Sequence, residues 1–287
     1  MEQGNTDKKK KNMIKGIILA AILLLGCGLA FLFFGMVQVD IPSEDEIPEK
    51  EDMIMQGASM SNPQIPEVDL SEEPLERTME DMIQYMAPAL VQVYRVDDAG
   101  NYTAGSGYVV EMTEDTIYIC TNRHAVTTTA TCDIYFYEGT KVEGKIIGAA
   151  EYYDVGVVTV EKNVLPEALR QELKAVTIDY TYWEVLDEEP ILLGLGRVSR
   201  EGGFDHITTG NLIKIKQYFE WDSAHPHTEV TVALEAGDSG SAILDDDGNL
   251  IAMAYAYSTE PTRYWCVPLD EILKAYREIT GRNPRVF

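Results

Sequence analysis

The sequence predicts an all-β globular domain held behind an apolar, membrane-spanning segment. Three observations carry this reading: many short β-rich runs separated by Gly, Asn or Asp; a 24-residue stretch near the N-terminus without a charged side chain; and an acidic, proline-containing segment between the two. The chain has 287 residues, 45% of them hydrophobic, with 16 Tyr and 7 Phe. That is enough apolar material to build a core. There are 48 Asp and Glu against 23 Lys and Arg, for a formal net charge of -25. Cations must neutralise phosphates at a nucleic-acid backbone, so the balance excludes nucleic acid as a partner. Four cysteines in a chain this long, none in CxxC spacing, exclude a disulfide scaffold or a zinc finger.

The N-terminal elements follow from charge. Lys8, Lys9, Lys10, Lys11 and Lys15 make residues 1–15 a basic tail, and residues 16–39 carry no charge. At about 1.5 Å per residue, roughly 20 apolar residues cross the hydrocarbon core, so 16–39 reads as one transmembrane helix. Lysines before it and Asp40, Glu44, Asp45 and Glu46 after it place the N-terminus in the cytoplasm. The expected location is a bacterial cell membrane, single-pass and type II, with membrane lipid as a partner and the rest of the chain extracytoplasmic. A cleaved signal peptide has an apolar region of about 7–15 residues and small residues at the cut, which 35–40 lack. Leu24-Leu25-Gly26-Cys27 only loosely resembles a lipoprotein processing box, so the span reads as an uncleaved anchor. Residues 40–81 hold 14 acidic and 2 basic side chains, with Pro42, Pro48, Pro63, Pro66 and Pro74. Such composition does not offset chain entropy, so 40–70 reads as a disordered stalk and 71–287 as the folded domain.

Within that domain, Leu75, Met79, Met82, Ile83 and Met86 share one helical face, predicting a helix over 71–86 that Pro88 ends. Strands are expected at 90–96, 107–112, 116–121, 132–137, 145–150, 155–160, 190–195, 207–217, 228–234, 241–244, 250–257 and 264–267. A short helix is expected within 164–176, and a last one over 268–279 with Leu269, Ile272, Leu273 and Tyr276 inward. Short strands with turn signals between them mean a sandwich or barrel rather than a parallel α/β sheet.

Three stretches carry chemistry: Thr121-Asn122-Arg123-His124-Ala125-Val126 after an apolar strand, Asp154-Val155-Gly156-Val157 opening another, and Gly237-Asp238-Ser239-Gly240-Ser241 before a third. Singly, each has an ordinary structural reading as a packed ring, a turn residue or a loop. In the order His, Asp, Ser on an all-β chain they match what nucleophilic catalysis requires. A serine hydroxyl needs an imidazole to take its proton, the imidazole needs a carboxylate on its far nitrogen, and the oxyanion needs backbone N–H donors.

These blocks resemble the three signatures of the trypsin-like (chymotrypsin-clan) serine proteases, with most similarity to the membrane-anchored HtrA/Deg branch. Residues 86–93 are similar to the entry of that protease domain, 105–110 to its first-barrel hairpin and 244–251 to the hairpin after the nucleophile. The resemblance implies two packed six-stranded antiparallel β-barrels with short terminal helices. It implies His124 as general base, Asp154 as its orienting carboxylate, Ser239 as nucleophile, and the N–H groups of Gly237 and Ser239 as the oxyanion hole. It implies no metal or cofactor, protein or peptide substrates, and the homotrimers that relatives often form. By the same correspondence Ala233 lines the base of the substrate pocket and Tyr255 and Tyr257 its wall, which favours a small to medium apolar side chain. Only 279–287 follow the last helix, so the expectation is a protease domain without the branch's usual PDZ domain.

Position 238 is Asp where the HtrA branch has Asn. In trypsin that Asp pairs with a new N-terminus, which here is expected across a membrane; an arginine is the natural substitute, but the sequence does not single one out. The alternative function is an inactive pseudoprotease that binds peptides or a partner, and a third is a sensor whose stalk is the working part. Asp245-Asp246-Asp247-Gly248 reads as a hairpin turn rather than a calcium loop. Asp222 with His225-Pro226-His227 reads as an exposed loop rather than a metal site, and His206 as a loop residue. Cys120 and Cys132 are either paired or two buried thiols.

Overall fold

A computed structural model of the chain describes residues 78–96, 100–127, 129–179, 191–219 and 222–284. The expected tail 1–15, span 16–39 and stalk 40–70 lie outside the described residues, as do Ser71 and Leu75. Among the described residues no helix is long and apolar enough to cross a membrane.

Helix α1 (Met79–Met86) buries Met79, Met82, Ile83 and Met86, the face the spacing predicts. It starts at Met79, because Thr78 is extended (φ −71°, ψ 159°) and closes a capping box. The Thr78 hydroxyl accepts from Asp81 N–H at 3.1 Å, and the Asp81 carboxylate accepts from Thr78 N–H at 3.1 Å. Two otherwise orphaned donors are thereby satisfied. A 3₁₀ turn with Pro88, Ala87–Ala89, leads into the first strand.

The described residues contain twelve strands in two closed six-stranded barrels. The first holds β1 (Leu90–Val96), β2 (Tyr102–Met112), β3 (Thr116–Thr121), β4 (Thr131–Phe136), β5 (Lys141–Ala149) and β6 (Gly156–Glu161), in the order β1-β2-β3-β6-β5-β4. It closes because β1 pairs antiparallel with both β2 and β4. A single turn, α2 (Arg123–Val126), links β3 to β4. Helix α3 (Glu167–Glu172), the short helix expected within 164–176, follows the first barrel. The second barrel holds β7 (Leu192–Val198), β8 (Phe204–Phe219), β9 (Asp222–Val230), β10 (Ala242–Asp245), β11 (Leu250–Thr259) and β12 (Thr262–Pro268). Its order is β10-β11-β12-β9-β8-β7, closed by β10 against β7. Helix α4 (Leu269–Thr280) buries Leu269, Ile272, Leu273 and Tyr276 as expected and ends at Gly281 in the left-handed region.

Three expectations are corrected in the second barrel. The strand expected at 228–234 runs instead from Asp222 to Val230. His225-Pro226-His227 therefore lies in a strand, with Pro226 and His227 buried, not in an exposed loop. The β8–β9 ladder pairs Gln217 with His227 and Phe219 with Asp222 through register shifts. Such irregularities are where a strand accommodates a residue without an N–H. His206 likewise sits on β8, opposite Arg197 of β7, and not in a loop. The Asp245–Gly248 segment forms the β10–β11 turn, where Asp245 Oδ1 accepts from the N–H groups of Asp247 and Asn249.

The apolar side chains divide into three clusters. Val91, Ile117, Ile119, Ile134 and Val158 fill the first barrel, and Leu193, Leu195, Val232, Ile243 and Ile251 fill the second. Between the barrels, α1 and α4 join Leu90, Tyr108, Val157, Leu244 and Met253 in a third cluster. Helix α4 is further tied to the first barrel: Tyr276 Oη donates to buried Glu111 at 2.6 Å, and Arg282 Nε bonds the same carboxylate at 3.1 Å. Cys120, Cys132 and Cys266 are buried free thiols, which settles the open pairing of Cys120 and Cys132. Burial pushes the Cys132 thiol up to about 12. Ile83 is fully buried in the inter-barrel cluster. Ile83→Ala is expected to destabilise the domain by about 2–5 kcal/mol in urea unfolding, the range for a core Ile truncation.

Candidate active site

The imidazole and the carboxylate come from the first barrel. Strand β3 ends at Thr121, and Asn122, extended at φ −73°, starts the turn that carries His124. Val126 of that turn lies on Gly156 at the start of β6, where an added Cβ would stand 2.4 Å from Val126 Cγ2. A side chain at 156 would push the His124 turn away from the segment bearing Asp154. Asn122 Nδ2 donates to Asp154 O at 2.9 Å, and Arg123 Nη1 donates to Ala150 O at 3.1 Å and Glu151 O at 2.7 Å. The segment before β6 is thus held by the two residues that precede the histidine.

Asp154 accepts twice from His124: Oδ1 from the backbone N–H at 3.0 Å and Oδ2 from Nδ1 at 2.7 Å. An ionised carboxylate only accepts, so Nδ1 carries the proton and Nε2 presents its lone pair. The hydrogen bond to Asp154 raises the His124 pKa above 6.5, against partial burial that lowers it. The imidazole is 49% exposed, open to an incoming molecule.

Ser239 sits on the loop between β9 and β10, and that loop is bound to the first barrel. Ser106 N–H on β2 donates to Ser239 O at 2.7 Å, and Ser106 Oγ donates to Gly237 O at 3.0 Å. A Cβ added at Gly105 would lie 3.0 Å from Ser239 O and 3.4 Å from Ala125 Cβ. One glycine therefore separates the Ser239 backbone from the turn bearing His124. Among the described residues Ser239 Oγ makes no hydrogen bond to His124.

Positive φ at Gly237 (102°) and Gly240 (92°) gives the loop its shape. The N–H groups of Asp238, Gly240 and Ser241 donate to Glu235 O, Ala254 O and Asp238 O. Those of Gly237 and Ser239, the two proposed from the sequence, donate to no acceptor among the described residues. Asp238, 1% exposed, has the arginine partner that the sequence did not single out: Arg197 Nη1 stands 3.2 Å from Oδ1. His206 Nδ1 lies 3.0 Å from Oδ2.

Beside Ser239 a pocket is lined by Leu234, Glu235, Ala236, Tyr255, Ala256 and Tyr257. Tyr255 and Tyr257, which the resemblance assigns to the wall of a substrate pocket, line this one; Ala233 is exposed and is not among the lining residues. The ladder ends at Val230, so Ala233 belongs to the loop that leaves β9 rather than to the pocket floor. Tyr255 also borders a second pocket, with Asp154, Asp222, His225 and His227. Burial holds the Tyr255 hydroxyl protonated and lowers the His227 pKa. The hydroxyl lies 2.6 Å from His227 Nδ1, and Asp222 Oδ1 lies 2.8 Å from His225 Nδ1. Among the described residues no group of three or more His, Cys, Asp or Glu side chains is arranged to hold a metal ion. Sequence reasoning missed the roles of Ser106, Arg197 and His206: Ser106 lies in the 105–110 hairpin block, whose resemblance gave it no role, and Arg197 and His206 stand in no recognisable motif.

Residues 105–253 match the family model for the trypsin-like peptidase domain. An HtrA-like serine protease of Staphylococcus aureus is 25% identical over 197 residues, covering 65% of this chain. The chain spans 25% of that relative's length. A serine endoprotease from Yersinia pestis shares the fold at 19% identity, with a TM-score of 0.53 over 72% of this chain and 69% of that one. The HtrA-type protease AlgW, solved with a tripeptide, shares it at 18% identity, with a TM-score of 0.58 over 72% of this chain and 65% of that one. With a family model matched across both barrels and through the segments bearing His124, Asp154 and Ser239, the chain belongs to the trypsin-like peptidase domain family.

Proposed function

We propose that this chain is a membrane-anchored serine endopeptidase that hydrolyses peptide bonds of extracytoplasmic proteins. The observation that carries the reading is the His124–Asp154 bond at 2.7 Å, next to a serine loop whose Gly237 and Ser239 N–H groups are unengaged. In the proposed cycle Ser239 Oγ attacks the substrate carbonyl as its proton passes to His124 Nε2. The oxyanion is received by the Gly237 and Ser239 N–H groups. Imidazolium, stabilised by Asp154, returns the proton to the departing amine, leaving an acyl-enzyme. Water, deprotonated by the same imidazole, then releases the acid. Anchoring through 16–39 and the extracytoplasmic position rest on the charge pattern of the N-terminal segment, and assembly into trimers on the HtrA resemblance.

The pocket supports an apolar side chain of small to medium size. Its one carboxylate, Glu235, already bonds Arg197 Nη2 at 2.9 Å, so a substrate Lys or Arg would enter without a free counter-ion. Peptides with Ala, Val or Leu before the cut are expected to exceed Lys peptides in kcat/KM.

The purified chain is expected to react with a fluorophosphonate probe, and Ser239→Ala to abolish the labelling. A folded wild type that binds peptides without labelling would instead make it a pseudoprotease. Activity requires neutral His124, whose pKa is raised, so kcat/KM should climb with pH through a midpoint above 6.5. Asp154→Asn removes the raising partner and should cut kcat by about 10⁴-fold, read by steady-state kinetics at pH 8.

A further inference from the structure

The Arg197 guanidinium reaches more than the carboxylate of Asp238. It stands on β7 at a register shift between Arg197 and Val198, opposite His206 of β8, with its side chain 12% exposed. Nε donates to Asp205 Oδ1 at 2.6 Å, and Nη1 donates to the main-chain carbonyl of Ala236 at 3.0 Å. A peptide unit is planar and trans, so its C=O and N–H point to opposite sides. Fixing Ala236 O on the guanidinium therefore turns Gly237 N–H away from it. Gly237 lies against the same group, since a Cβ there would stand 3.2 Å from Nη1. Asp238 closes the turn from within: Oδ2 accepts Glu235 N–H at 2.8 Å, and Asp238 N–H donates to Glu235 O at 3.1 Å. A planar fork with several donors serves these acceptors together, which a point-charge ammonium does not.

We propose that Arg197 is a positioning residue for the oxyanion site. It holds the Ala236–Gly237 peptide so that Gly237 N–H faces the cleft, with Asp238 as the brace beneath. The site is thus formed in the resting chain by an internal counter-ion, and requires neither a new N-terminus made by cleavage nor a bound effector. The proposal rests on the endopeptidase reading.

The test compares the full-length wild type with Arg197→Met and Arg197→Lys on a short peptide substrate and a peptide boronate. For Arg197→Met, kcat should fall about 10²–10³-fold, as when one oxyanion donor is lost, with KM within about threefold. Boronate affinity should fall in parallel with kcat/KM. Arg197→Lys should recover only part of the loss, and added guanidinium ion should restore part of the Arg197→Met activity. Wild-type kcat and boronate affinity in Arg197→Met would overturn the proposal. A second measurement needs no variant. Intact wild type, its unprocessed N-terminus verified by mass spectrometry, should label with fluorophosphonate at the rate of the trimmed chain. Labelling only after cleavage would overturn the proposal while leaving the endopeptidase reading in place. No labelling under either condition would instead remove that reading.

Discussion

Everything proposed for the cleft depends on the docking of one loop of the second barrel onto one strand of the first. The His124–Asp154 pair belongs wholly to the first barrel, and Ser239 wholly to the second. The loop is held by Ser106, whose N–H and hydroxyl bond the carbonyls of Ser239 and Gly237. Ser106 is itself fixed, since its carbonyl accepts from Thr121 Oγ1 at 2.6 Å. Thr121 is the last residue of β3, so the same strand end that launches the His124 turn also sets the seat of the serine loop. Helices α1 and α4 and the third apolar cluster hold the barrels together around this small polar junction. Hydrogen bonds define the register, and apolar burial supplies most of the adhesion.

Two deeply buried carboxylates show how charge enters this arrangement. Glu111, 4% exposed, is shared by Arg282 and Tyr276; Asp238, 1% exposed, is shared by Arg197 and His206. Buried ion pairs add little net stability, but removing one partner leaves a desolvated charge at a cost of about 3–5 kcal/mol. Each pair therefore fixes a geometry more than it adds stability. The first secures the C-terminal helix on the barrel, and the second secures the turn beneath Gly237 and Ser239. Within so acidic a chain, placing an arginine at each of these points is a specific use of a scarce cation.

Most of the strands and the terminal helices were legible because each leaves a local trace, and the candidate His, Asp and Ser blocks could be picked out for the same reason. β-rich runs end at Gly or Asp, inward residues recur at helical spacing, and the three signature blocks are contiguous. Features that depend on distant neighbours were not. Arg197 and Asp238 are 41 positions apart, and only the cross-strand register of β7 with β8 brings Arg197 and His206 over the loop. His225-Pro226-His227 read as a loop because proline argues against a ladder, yet β9 carries it where the β8–β9 register shifts. Ala233 was placed by counting back from Ser239, and counting does not say which face a residue takes: Val232 and Leu234 turn into the second barrel's core, which leaves Ala233 exposed between them. The capping box at Thr78 was present in the sequence but overshadowed by a longer apolar periodicity.

The most direct measurement is a crystal structure of the chain after reaction with a peptidyl phosphonate. The account predicts phosphorus bonded to Ser239 Oγ, one phosphonyl oxygen within hydrogen-bond distance of both Gly237 N and Ser239 N, and His124 Nε2 turned toward the adduct. Phosphorus on another residue, or that oxygen directed away from both N–H groups, would contradict it.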